Sequence, residues 1–236
     1  MFYEPAKNDH GLRFNPFKSC VVPRPIAWVS TVSRSGIVNL SPFSQSNILG
    51  WDPPYVMFAA FNRADGTRKD SVANAEETGE FVFNMATHAL RDAVVLTSMI
   101  EEPGVDEMAK AGLTPAPSKL IVPPRVAECP ISLECKHYQT TLLPSDSPGR
   151  YSSVVVGRVV GIHIADDIVM ANGKLDMVKV RPLARMGYLD YTSVTEVFEM
   201  HPPGTPEAMV RGMSGGGTER RAPPTVGAAR KDPVGA

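Results

Sequence analysis

The densest chemical signal in the chain is the six-residue run Gly66-Thr67-Arg68-Lys69-Asp70-Ser71. The spacing predicts a helix over Arg68 to Glu77, capped by Asp70 or Ser71, which sets two cations and a hydroxyl at a helix start. Unpaired N–H groups and the positive end of the helix dipole gather there, an arrangement suited to phosphate. A capped surface helix with two solvated cations would carry the same residues. The run Ser41-Pro42-Phe43-Ser44-Gln45-Ser46-Asn47 sets five hydrogen-bonding side chains around one aromatic. That density suits the polar edge of a ring system, and equally a turn-rich connector. Taken together, the two runs suit an anionic ligand with a flat polar ring.

Other chemistry is sparse. Gly212-Met213-Ser214-Gly215-Gly216 matches GxSxG, but no strand precedes it, so a nucleophile elbow has no context. No glycine-rich dinucleotide fingerprint, phosphate-loop motif or HExxH is present. The five histidines lack metal-ligand spacing, and no metal site is assigned. His163 stands out only because it ends a strand-like run before Asp166-Asp167, a pair that reads as a turn. Three cysteines without a CxxC pair argue against a disulfide framework. A net charge of −1 offers no reason to expect nucleic acid or an anionic membrane as partner. No apolar run is long enough to span a bilayer and the first ten residues have no secretory pattern, so a cytoplasmic protein is expected.

The elements that must position these residues read mainly as strands. Length and apolar content allow one large domain with a real core. Ile26 to Val32 and Ile37 to Leu40 form a hairpin about the turn Ser33-Arg34-Ser35-Gly36. Tyr55 to Phe61, apolar on both faces, is a buried strand, and Glu80 to Met85 is another. A helix over His88 to Ile100 would bury Leu90, Val94, Val95 and Met99, and a short helical turn falls within Val105 to Ala111. Beyond the Pro-rich connector Thr114 to Pro124, Val126 to Leu143 and Tyr151 to Ile164 are strands, with bulges at Gly157 and Gly161 and a tight turn at Asn172-Gly173. No strand–helix alternation occurs. The expectation is a mostly antiparallel β-barrel with a few helices. Its bounds are an N-terminal arm at 1–23, a domain at 24–200 and a disordered Pro/Gly-rich tail at 201–236.

In order and spacing, RPIAWVSTVS…G…NLSPFS…N…DPP, KDS..N…TGEFVFN and PLARMGYLDY resemble the flavin reductase-like proteins from Arg24 to Tyr191. The resemblance implies an FMN-binding split barrel of antiparallel Greek-key type, dimeric, with FMN at the subunit interface. Thr31 and the segment Ser44, Gln45, Ser46 and Asn47 would approach the isoalloxazine and ribityl chain. Phe61, Asn62 and Arg63 would lie beside the flavin. Arg68, Lys69 and Ser71 would take the phosphate, with Asp70 capping the helix. Arg185 and Tyr188 would come near the cofactor, from the same subunit or its partner. No catalytic side chain is assigned, because the flavin carries the hydride chemistry. NADH or NADPH would be the donor and an oxygenase or other acceptor the recipient. One departure stands out: the histidine that such reductases place five residues before the counterpart of Gly157 is here Ser152. A flavoredoxin-like electron carrier and a pyridoxal-phosphate binder on the related barrel are the alternatives.

Overall fold

In the computed structural model the strands are β1 (Arg24–Pro25), β2 (Ala27–Val32), β3 (Val38–Phe43), β4 (Ser46–Trp51) and β5 (Pro54–Phe61). Helix α1 (Asp70–Thr78) leads into β6 (Glu80–Met85), α2 (Arg91–Leu96) and α3 (Glu107–Lys110). Then come β7 (Pro115–Ala116), β8 (Arg125–Val126), β9 (Ile131–Pro144), β10 (Tyr151–Ile164), α4 (Met177–Val180), β11 (Leu183–Gly187) and β12 (Asp190–Ser193). Described are residues 1–212 apart from 103, 202, 205, 207, 208, 210 and 211. The chain divides into two units, Met1–Val197 and Phe198–Ala236. The tail expected over 201–236 lies for the most part outside the described residues.

Seven strands pair antiparallel in the order β3-β2-β6-β9-β10-β5-β4. The chain thus builds one hairpin at one edge, a second at the opposite edge, and returns through β6 beside β2. A three-stranded sheet, β1-β11-β12, stands apart from it. Strand β2 is buried on both faces and separates two apolar clusters. Ala27 and Val29 face Phe43, Phe58, Phe81 and Val155, a cluster completed by Val72 and Ala75 of α1. Ile26 and Trp28 face Leu40, Val94, Met108 and Val126. The period-two alternation of a strand thereby serves two cores at once.

Both bulges in β10 fall where the glycines predict them, at Val156/Gly157 and Val159/Gly161. Gly157 is required sterically, because a Cβ there would overlap the Phe81 ring. Asn84 ties the sheet to the connector. Its Nδ2 donates to Trp28 O (2.9 Å) and Ser30 Oγ (3.1 Å), and its Oδ1 accepts from Val126 N–H (3.1 Å) and Ser132 Oγ (2.9 Å).

Three expectations are corrected. The run 41–47 is not a polar loop: Ser41-Pro42-Phe43 ends β3, Ser46 begins β4, and only Ser44 and Gln45 join them. Ser46 Oγ donates to Pro25 O at 2.9 Å and accepts from Ala27 N–H at 3.2 Å, so its hydroxyl holds the chain extended. The residue at the N-cap of α1 is Lys69, without a side-chain cap, and Asp70 is the first helical residue. The helix expected over 88–100 is a 3₁₀ turn at His88–Leu90 followed by the short α2. Thr97 ends it, donating its hydroxyl to Val94 O and accepting from Trp28 Nε1 at 2.9 Å. Val94 is buried, whereas Val95 and Met99 are more than half exposed.

Candidate functional site

A closed turn aims the chain into α1. Arg63 N–H donates to Thr67 O (2.7 Å) and Gly66 N–H to Arg63 O (3.0 Å), with Gly66 at φ +88°. Asp65 Oδ1 accepts from the Thr67 hydroxyl (2.6 Å) and N–H (2.9 Å). Those two bonds hold the Asp65 carboxyl below the usual range. Asp70 is committed to Arg63 by a 2.9 Å ion pair, which explains why it does not cap. The backbone N–H groups of Asp70 and Ser71 have no hydrogen-bond partner among the described residues.

Lys69 is the telling group. Its stem is half-buried, its ammonium lies 5.9 Å from the centre of the Phe43 ring, and no carboxylate pairs with it among the described residues. Burial, then the charge of Arg63, pull its pKa below the ordinary lysine value. A half-buried cation beside a second guanidinium and two N–H groups without partners among the described residues is chemistry suited to an anion. Arg68 differs: it forms an ion pair with Glu76 along α1.

The other expected residues sort by what the fold asks of them. Thr31 is fully buried and accepts from Asn74 Nδ2 at 3.1 Å. Ser71 is buried and accepts from Asn39 Nδ2 at 3.2 Å. Asn62 is buried, its Nδ2 donating to Gly149 O at 2.9 Å and its Oδ1 accepting from Tyr151 N–H at 3.1 Å, which pins the β9–β10 turn. By contrast Gln45 and Asn47 are exposed, Ser44 is half-buried, and Phe61 at the end of β5 is 54% exposed. The backbone carbonyl of Gln45 accepts from Ala59 N–H at 2.7 Å, and its side-chain amide has no partner among the described residues. Asn47 Oδ1 accepts from Ile48 N–H, leaving its amide nitrogen without a partner among the described residues.

Arg185 lies in β11 and Tyr188 in the β11–β12 turn, and no hydrogen bond or ion pair joins them to the 44–47 or 61–71 groups. Arg185 stacks over Tyr191 at 4.4 Å and donates to the Tyr191 hydroxyl and Tyr188 O. Tyr188 adopts a left-handed φ of 48° in the turn before β12. Two residues of the quoted motifs were not assigned to the site, Asn39 and Asn74, which brace Ser71 and Thr31 and line a crevice of about 300 Å³ with Asp70 and Ser33. The signal was there: Asn39 opens the run NLSPFS and Asn74 closes KDS..N, both within the family resemblance.

Comparison with known proteins identifies the family. A family model described as flavin reductase like domain matches residues 19–179. The chain belongs to that family. It is 40% identical over 167 residues to an uncharacterized protein of Aquifex aeolicus (strain VF5), covering 71% of this chain and 82% of that one. Among solved structures, nitrilotriacetate monooxygenase component B from Bacillus cereus superposes with TM-score 0.78 at 28% identity. That match covers 85% of this chain and 98% of the other. The Pseudomonas fluorescens 2-nitrobenzoate 2-nitroreductase NbaA follows with TM-score 0.73 and 26% identity, over 88% and 100% of the two chains. The barrel described above is the split barrel of this family. No helix among the described residues is long and apolar enough to cross a membrane.

Proposed function

We propose that this flavin reductase-like protein binds FMN between the β3–β4 link, the end of β5 and the start of α1, and works as an NAD(P)H:flavin reductase. The observation that carries the proposal is Lys69, a half-buried ammonium without a carboxylate, beside the free N–H groups of Asp70 and Ser71. These groups would hold the phosphate, with Arg68 reinforcing the field while paired to Glu76. Gln45, Asn47 and Ser44 offer uncommitted amide and hydroxyl groups for the polar edge of the ring system, and Phe61 offers an aromatic face. Arg63 is held in place beside the helix start by its ion pair with Asp70. Thr31, Ser46, Asn62 and Ser71 shape the walls through their buried bonds. FMN, when bound, would supply the acceptance of hydride from NADH or NADPH.

Two surface features support a homodimer. Ile48, Leu49 and Trp51 are 55%, 57% and 82% exposed on the edge strand β4. Leu142 and Leu143, near the end of β9, are 53% and 50% exposed. A monomer would leave these apolar groups in water. Arg185 and Tyr188 would then reach the groove of either subunit. The likeness to a monooxygenase component B supports an oxygenase as recipient of reduced flavin or electrons. Cys20, Cys129 and Cys135 are all free, in keeping with a reducing, cytoplasmic setting.

One observation favours a second reading, an FMN-binding electron carrier. Ser152 stands opposite Phe61 in the β5–β10 register, where the resemblance leads one to expect a histidine for the nicotinamide. Anaerobic stopped-flow separates the two. Bleaching of bound flavin by NADH or NADPH within a turnover time is the expected result. Bleaching only by dithionite would overturn the reductase in favour of the carrier, and a protein that takes up no FMN would end both.

A further inference from the structure

A cavity of about 400 Å³ opens between the His88–Val95 segment and the β11–β12 hairpin, away from α1. Val95, Leu183 and Tyr191 give it apolar walls, and His88, Arg91 and Ser193 bring polar groups to the same space. Its opposite sides are stitched together by backbone. His88 N–H donates to Arg181 O and Leu183 N–H to Ala86 O, each at 2.9 Å. Thr87 bridges Pro182 in the same register. The walls are therefore pre-formed, as in small-molecule sites of this size.

Two of the lining residues carry charge, Arg91 and Asp92. Outside the lining, Arg181 donates to Ser193 Oγ at 3.2 Å, and its charge acts on His88. Asp92, 3.8 Å from Arg91, balances one of the two guanidiniums. Desolvation, then Arg181 and Arg91, hold the His88 imidazole below its usual pKa against the opposing pull of Asp92, and so favour the neutral ring. With Arg181 behind Ser193 included, the surroundings hold one more cation than carboxylate. Neither ring nitrogen of His88 has a hydrogen-bond partner among the described residues. A guanidinium fork and an open imidazole match a carboxylate, while a single net charge and apolar walls suit a monoanion with a hydrocarbon body better than a phosphate dianion.

We propose that this cavity binds a small organic monocarboxylic acid, its carboxylate on Arg91 and His88 and its apolar body on Val95, Leu183 and Tyr191. None of the flavin-site candidates lines the cavity, although Arg185 stacks on Tyr191, so the assignment stands apart from the FMN reading.

The full-length protein, with and without added FMN, is titrated with benzoate, phenylacetate and hexanoate by calorimetry and heteronuclear NMR. Benzamide and inorganic phosphate are the controls, and Arg91→Gln and His88→Asn are the variants. Arg91 is half exposed, so its replacement leaves the fold intact, which the amide spectrum verifies. The expected result is saturable binding of at least one acid, with shifts confined to the amides of 88–95 and 183–193. Affinity should drop about tenfold or more in Arg91→Gln, while FMN affinity stays unchanged. Three results would overturn the proposal: no acid saturating by about 10 mM, affinity untouched in both variants, or benzamide or phosphate binding as well as the acids.

Discussion

Replacing Lys69 by Met tests the anion site from two directions. Met keeps most of the side-chain volume against Phe43 and removes only the charge. In the unliganded protein that charge is a burden, since burial and Arg63 depress its pKa below 10.5. Between the depressed folded value and the unfolded one, the unfolded chain binds the proton more readily, so stability rises with pH across that window. The full penalty is therefore present at neutral pH. Its removal is expected to return on the order of 1 kcal/mol and to raise the melting temperature of the apoprotein by about 2–4 °C.

With FMN present the sign reverses. Losing one charge-assisted hydrogen bond to phosphate costs about 1.5–3 kcal/mol, roughly tenfold to a hundredfold in Kd. Arg68→Ala serves as the contrast. Arg68 already spends its charge on Glu76, so its loss is expected to cost no more than about 1 kcal/mol in either assay. Thermal melts of the apoprotein and fluorescence titration of FMN read both effects on the same samples. An FMN affinity for Lys69→Met within about twofold of the parent, or an apoprotein that melts earlier, would refute the reasoning.

Asn84→Ala removes the hub of four buried hydrogen bonds and is expected to cost about 3 kcal/mol or more, seen as a lower urea midpoint with an unchanged slope. Burial pushes the Glu134 carboxyl up, but bonds from His163 (2.5 Å), Lys119 N–H and Leu120 N–H (both 2.7 Å) outweigh it and leave it below 4.5. A depressed carboxylate stabilises above its unfolded pKa and loses that contribution as pH falls through the folded value. The protection of the Lys119 and Leu120 amides relative to their intrinsic exchange is therefore expected to fall below pH 4.5, and to be low at every pH in Glu134→Gln. Gly157→Val drives a side chain into Phe81 and is expected to cost about 1–3 kcal/mol, partly restored by Phe81→Leu in a double-mutant cycle. Asn62→Ala is expected to lower stability by about 1–3 kcal/mol by freeing the β9–β10 turn. Asn47→Ala leaves stability alone and weakens FMN binding; equal melting losses in the two would break the distinction.

Most of the barrel was legible because its strands obey local rules. Strands β6 and β10 lie at the bounds their patterns predict, and Gly157 and Gly161 marked both bulges. Where the reading failed, a tertiary contact had replaced a local preference. The Thr97 hydroxyl cut the 88–100 helix short because it is the partner of the buried Trp28 indole. Ser46 entered a strand because its hydroxyl bonds β1 and β2 across the barrel. Neither contact can be read from the ten residues around it, since the partners lie 69 and 19 to 21 positions away.

The site was legible as a set of residue types and illegible as a division of labour. Ser, Thr and Asn side chains in Thr31, Ser46, Asn62 and Ser71 looked as available for a ligand as those of Ser44 and Asn47. The fold has spent the first four on buried partners, where an unpaired hydroxyl or amide would cost more than a surface one. The same accounting separates the cations: Arg63 and Arg68 hold carboxylates, and Lys69 holds none among the described residues. A group that the fold buries halfway and leaves without a partner lowers stability until something binds it. Lys69 is such a group, and the neighbouring N–H groups of Asp70 and Ser71 share its deficit. Ligand binding that supplies the missing charge would recover that cost, which is why the affinity and the stability of Lys69→Met must move in opposite directions.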